Sequence, residues 1–166
     1  IHIANLLSLA QIDGAAMHAQ NVLQLETEIA RHHWDQVRDR DALETYNKMN
    51  FDQLVALSPQ MNWPLYLEAS QTPAAVLAEV VVRQPSFFTG IAELLGALEN
   101  NSELDKWRSW LLWKVLHDAA PYLSSAFVNE NFDFFAKTLS GTPQIRDRWK
   151  RGVSLVEGVL GEAVGE

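Results

Sequence analysis

The stretch that most constrains the fold is AFVNENFDFFAKTLSGTPQIRDRWKR, residues 126–151. It reads as the end of one amphipathic helix, a turn at Ser140-Gly141, and the start of another. Gly141 tolerates the positive φ that closes a helix. Thr142 is placed to cap the next N-terminus. Pro143 suits a first helical position, because its missing N–H would be unpaired there anyway. Phe127, Phe132, Phe134, Phe135 and Trp149 flank the corner, so the spacing predicts two helices meeting over a dense aromatic contact. These residues predict architecture and carry no reactive centre.

The helical period runs through the rest of the chain. Ile3, Leu6, Leu7 and Ala10 predict a first helix, broken at Asp13-Gly14, with Asp13 as the next cap. From Ala15 to Trp34 a long helix is expected. Its buried stripe is Ala15, Ala19, Val22, Leu23, Leu25, Ile29, Ala30 and Trp34, with Glu26, Glu28 and Arg31 on the wetter side. The charges at Asp35, Arg38, Asp39, Arg40 and Asp41 predict a solvated helix end or turn. Asn50-Phe51-Asp52-Gln53 has the spacing of a capping box, for a short helix through Leu54 and Leu57 that Ser58-Pro59 ends. Asn62-Trp63-Pro64 and Thr72-Pro73 open two more.

Glu79-Val80-Val81-Val82-Arg83 is the only strand-like text, and no second strand is visible, so a lone extended segment is expected there. Pro85 opens a helix through Phe87, Phe88, Ile91, Leu94 and Leu98. Ser102 caps another, carrying Leu104, Trp107, Trp110, Leu111, Val115 and Leu116. Pro121 opens the next. The last helix follows Pro143 with Ile145, Trp149, Val153, Val156, Leu160 and Ala163 on one face. Gly152, Gly158 and Gly161 within it each cost about a kcal/mol relative to Ala when exposed, and suit the close approach of another helix or backbone. The expected fold is an all-α, multi-helix array with at most one short extended segment near Val80–Val82, in a single helical domain over residues 1–166.

Composition narrows the function classes. A net charge of −8 argues against a basic nucleic-acid-binding surface. With no cysteine, disulfides, thiolate nucleophiles and Cys-ligated zinc are excluded. No apolar run reaches membrane-spanning length, the longest of interest being Val80–Val82 and Trp110–Trp113. The chain opens without Met in an apparent helix, and so reads as a piece of a longer protein.

The candidate reactive residues do not assemble. His2, His18, His32, His33 and His117 include no H-E-x-x-H and no H-x-x-E-H. His32 and His33 are adjacent and point about 100° apart on a helix, so they cannot share a metal as i, i+4 residues can. They read as a surface pair or helix-end histidines, with Glu28 spaced to touch His32, and His117 reads as a structural helix-end residue. Glu26/Glu28 and Glu103/Asp105 sit at i, i+2 and diverge. No G-x-S-x-G, P-loop or dinucleotide fingerprint occurs. Arg146, Arg148, Lys150 and Arg151 are interrupted by Asp147 and Trp149 and do not read as a phosphate site. Asn100-Asn101-Ser102 matches a glycosylation sequon, a common chance match. Trp107, Trp110 and Trp113 recur every third residue, span more than one helix face, and read as packing or an interface rather than a ligand cage.

Several stretches, taken together and in order, resemble the M13 family of zinc metallopeptidases, the neprilysin-like endopeptidases, and most of all its bacterial, actinobacterial-type members. They are His33-Trp34 with Arg38–Asp41, Thr45–Met49, Leu54–Trp63, Val80–Pro85, Trp110–Leu116, Ala119–Ser124, and Phe127 to Gly158. The last includes Asn131-Phe132, Lys137–Gly141 and Arg148–Arg151. None is a catalytic signature; the collinear set is what is specific.

The resemblance implies one zinc held by the two His of H-E-x-x-H and a Glu of a later E-x-x-x-D, with the first motif's Glu as general base on the bound water. Those motifs do not occur in this chain. By resemblance, the chain is similar to the family's N-terminal peptidase region, in particular the smaller, mainly helical domain that in the family closes over the catalytic domain and limits substrates to peptides. No catalytic, cofactor-binding or metal residue is carried over. The implied partners are peptide substrates and the missing catalytic domain, with zinc only in the parent enzyme. The fragment alone is expected to be inactive, and self-association through a newly exposed apolar patch is expected. The alternative from another class is a stand-alone, non-catalytic helical protein-interaction module. An H-E-x-x-H followed by E-x-x-x-D further along the parent gene separates the two.

Overall fold

The computed structural model describes residues 1–165. Among them are eight α-helices and one small sheet, so the chain is all-α as the periodicity predicts. The helices are α1 (His2–Leu9), α2 (Ala15–Ala30), α3 (Phe51–Leu57), α4 (Trp63–Ala69), α5 (Pro85–Gly96), α6 (Asn101–Ala119), α7 (Ser125–Asn131) and α8 (Arg148–Gly165). The backbone groups into two compact units, residues 16–113 and residues 1–15 with those from 114 onward.

In the unit of residues 16–113, local chemistry sets the element ends. Asn50 accepts from the Gln53 N–H at 2.9 Å while the Gln53 side chain accepts from Asn50 N–H, the reciprocal capping box expected for α3. The Asn62 side chain caps α4, with Pro64 in its first turn, and Pro85 begins α5. Asn100, not Ser102, accepts the Ser102 N–H at the start of α6, so the cap lies two residues earlier than expected. Thr72-Pro73 leads into a single 3₁₀ stretch, Ala74–Leu77.

The lone extended segment is corrected. Val80–Val81 (β2) pairs antiparallel with Lys48–Met49 (β1), in the register Lys48↔Val81 and Met49↔Val80. Two-residue strands leave no alternation to detect, and Lys48-Met49 has no β-branched residue to announce it. The pairing brings Val82 beside Leu54 and Trp63, which form the unit's buried cluster with Phe51, Leu77 and Phe88 packed around it. Trp63 donates its indole N–H to Ser58 Oγ, and Ser58 donates to Leu54 O, each at 3.2 Å, so the buried polar atoms here are paired.

Helix α2 ends at Ala30, short of Trp34, and its buried positions are Val22 and Leu25, whereas Leu23 is 66% exposed. Glu26 and Glu28 do not occupy a wetter side. Glu26 Oε1 accepts from Trp110 Nε1 at 2.6 Å, and Glu28 Oε1 accepts from Lys106 Nζ at 2.8 Å. The inward face of α6 is correspondingly polar, with Lys106 and Ser109 buried and the predicted core residues Leu111 and Val115 exposed. A buried cation costs several kcal/mol unless it is paired, and Glu28 and Glu103, both 2.8 Å from Lys106, supply the pairing.

In the other unit α1 packs on α7, with Leu6 and Leu7 fully buried. Beyond α7 the chain widens into a π-helix, Phe132–Thr138. Two hydroxyls bond carbonyls of this segment: Thr138 Oγ1 donates to Asp133 O at 2.7 Å and Ser140 Oγ to Phe135 O at 2.9 Å. Gly141 takes φ +68° as expected. The rest of the predicted corner is corrected. Thr142 N–H donates back to Ala136 O, closing the preceding helix rather than opening the next. Residues 141–147 are irregular and α8 begins only at Arg148. Phe134 and Phe135 pack on histidines, whereas Trp149 is 67% exposed.

Candidate functional site

The histidines are used by packing. His18 Nδ1 lies 2.8 Å from Ser109 Oγ, which also accepts from Asn21 Nδ2 at 3.1 Å. Ser109 commits its own proton to Asp105 O at 2.7 Å, so His18 donates through Nδ1. A serine already donating to a carbonyl and a histidine donating to it are the reverse of a nucleophile and its base. The group ties α2 to α6. His32, just past the end of α2, is half-buried: its ring fills the space beside Gly90 of α5, where a Cβ would collide with it. His33 stacks on Phe87 at 4.4 Å. Glu28, spaced to meet His32, goes to Lys106 instead.

His2, which carries no sequence signal of its own, is buried in the unit that holds α1 and α7. Its ring stacks on Phe134 at 4.4 Å and meets Phe135 edge-on at 5.2 Å. His2 Nδ1 is 3.0 Å from Glu130 Oε1, which Asn5 also reaches at 3.0 Å. Burial holds the imidazole below its ordinary pKa, outweighing the opposing pull of Glu130, and the nearby His117 pushes the same way as burial. Phe134 and Phe135, consecutive in the π-helix, both meet this one ring. His117 lies against Phe135 at 4.9 Å.

The charged run after α2 is a knot of specific bonds. Asp35 and Asp41 cap the backbone N–H groups that follow them. The Arg38 guanidinium lies 3.6 Å over the Trp34 ring. Asp39 accepts from Gln84 Nε2 at 2.9 Å and from Arg83; the Gln84 hydrogen bond first, then the Arg83 charge, holds its carboxyl below the usual range. Beside this knot opens a hollow of about 500 Å³, walled by Trp63, Val80, Val82, Phe87 and Phe88 with Arg83 at its edge. It suits an apolar group.

Among the described residues no three His, Asp or Glu side chains converge to hold a metal ion. The zinc that the resemblance implies has no ligand set formed by them. Among the described residues no helix is long and apolar enough to cross a membrane. The most conspicuous surface is α8. Trp149, Val153, Val156 and Leu160 form one stripe at helical spacing, and all are more than half exposed. A Cβ at Gly152 or Gly158 would meet nothing within 4 Å.

The family model for the N-terminal part of Peptidase family M13 matches residues 1–166. The chain belongs to peptidase family M13. Within it, the chain is 28% identical to the neutral endopeptidase of Lactobacillus helveticus over 163 residues, covering 97% of this chain and 24% of that protein. It is 24% identical to endothelin-converting enzyme 1 of Rattus norvegicus over 168 residues, covering 99% of the chain and 21% of the enzyme. Among solved structures it resembles the Mycobacterium tuberculosis zinc metalloprotease Zmp1, at 38% identity over 99% of this chain and 25% of that one. The TM-score is 0.88 to the inhibitor complex and 0.86 to the open state. The chain therefore spans about a quarter of the length of the M13 proteins it matches.

Proposed function

We propose that residues 1–166 form the helical lid and chamber-wall domain of a zinc metalloendopeptidase that hydrolyses peptides, while catalysis by zinc-activated water takes place on a domain outside this chain. The observation that carries this is the uncovered apolar stripe of α8. A soluble surface rarely leaves so continuous an apolar helix face open unless another surface covers it. In a chain spanning a quarter of its relatives, the rest of the same polypeptide is the natural cover. The fragment's own role is to restrict access, so it is inactive alone.

The test is to add the remainder of the parent chain in trans and follow Trp149 by comparing wild type with Trp149→Phe. Burial of the stripe predicts a blue shift of the Trp149 emission. It also predicts loss of the concentration-dependent self-association expected of the isolated chain. Unchanged emission with no complex formed contradicts the proposal.

A further inference from the structure

Three arginines that pair with no carboxylate among the described residues line a single cleft in this acidic chain. The cleft, of about 570 Å³, lies between the segment after α6 and the start of α8, and no Asp or Glu lines it. Its walls carry Arg146, Arg148 and Arg151 with Tyr122, Leu123 and Leu155. Arg148, Arg151 and Leu155 fall at i, i+3 and i+7 of α8, so one helix face presents two guanidiniums beside an apolar side chain. Arg146 comes from the irregular run before α8. It is held there by the bond from Arg151 Nε to Arg146 O at 3.2 Å and by its own weak contact to Ser154 Oγ at 3.4 Å.

The neighbouring charges are already spent elsewhere: Lys150 pairs with Asp147 at 3.1 Å. Arg148 makes no hydrogen bond or ion pair among the described residues. With 21 acidic residues against 13 basic ones, carboxylates are plentiful on this chain, yet none is among the residues that line this cleft. Three like charges gathered at one hollow repel each other, and stability gives no reason to keep them together. A ligand with carboxylates removes that repulsion, and each guanidinium can take a carboxylate in a two-point bond. Tyr122, Leu123 and Leu155, each more than 40% exposed, offer the same ligand an apolar seat. The volume is that of an ordinary ligand pocket.

We infer that this cleft binds an acidic peptide segment, its carboxylates on Arg146, Arg148 and Arg151 and a neighbouring apolar side chain on Tyr122, Leu123 and Leu155. That the segment belongs to a peptide substrate rests on the proposed function; the binding chemistry does not.

Fluorescence anisotropy on the chain of residues 1–166 tests it, using a short labelled peptide of glutamates around one leucine. Binding should weaken as salt rises. It should fall about tenfold or more for the peptide with glutamines in place of glutamates, the scale of one lost charge-assisted bond. Arg148→Gln, which removes no internal bond, should give a comparable loss with an unchanged melting curve. Arg151→Gln should add to it if the fold survives. Replacing the leucine by serine should also weaken binding. Equal affinity for the glutamine peptide, or an unchanged affinity in Arg148→Gln, overturns the inference. A serine peptide that binds as well as the leucine one overturns its apolar half. Each of these can fail while the fragment remains inactive and zinc-free, so failure here is distinct from failure of the lid proposal.

Discussion

Trp110 of α6 donates its indole N–H to Glu26 of α2 across 2.6 Å, and one turn back on α6 Lys106 reaches Glu28 of the same helix. The α2–α6 seam is thus held by paired polar groups beside Val22 and Leu25, not by an apolar stripe on both helices. Replacing Lys106 by Met removes the cation and leaves Glu28 and Glu103 facing each other with little water. Breaking a buried pair costs about 3–5 kcal/mol when both partners are fully buried. The carboxylates here keep a fifth to a quarter of their exposure, so a loss of about 2 kcal/mol is expected. Urea unfolding measures it. Lys106→Met with Glu28→Gln should recover part of the loss.

Gly90 lies buried on α5 against the His32 ring. Gly90→Ala should destabilise by about 1–3 kcal/mol through overpacking, although alanine is the better helix former. His32→Ala opens the space, so in the double variant the added methyl should cost little or even stabilise. A double-mutant cycle reads the coupling directly. Additive effects would mean that the ring and the glycine do not share that space.

Acid should loosen the unit built on α1 and α7. The folded-state pKa of His2 lies below its ordinary value of 6.5, so the folded chain binds fewer protons than the unfolded one in that range. Stability then rises with pH through this window and is lost as pH falls below the unfolded value, because the buried ring must charge. Glu130 on α7 opposes the effect; His117 on α6 adds to it. Denaturant midpoints at about pH 7.5 and about pH 5.5 should show a larger acid loss in wild type than in His2→Gln. Asp39 acts separately: its lowered pKa gives stability that is lost only as pH falls below about 4, the ordinary carboxylate range.

What was legible in the sequence was local. Asn50 and Gln53 stand three residues apart, Asn62 precedes Pro64, and Gly141 needs φ +68°; each is a contract between near neighbours, and each is met. The family match came from collinear fragments. What stayed hidden depends on distance along the chain. Ser109 is buried because His18 and Asn21, some 90 residues away, bond to it. Lys48 pairs with Val81 across more than 30 residues through strands too short to alternate. His2 gains meaning only from Glu130 and the π-helix. One signal was available: Glu103, Lys106 and Ser109 recur every third residue on α6, a polar line along a helix otherwise rich in Trp and Leu. At Thr142 the local rule chose wrongly, since its N–H was claimed by the helix before it.

The most direct test of the central claim is zinc content and peptide cleavage measured together on the purified chain of residues 1–166, after loading with zinc and dialysis. A lid that leaves catalysis to another domain predicts no stoichiometric zinc and no hydrolysis of short peptides. One tightly held zinc per chain with peptide cleavage that a chelator abolishes would contradict it.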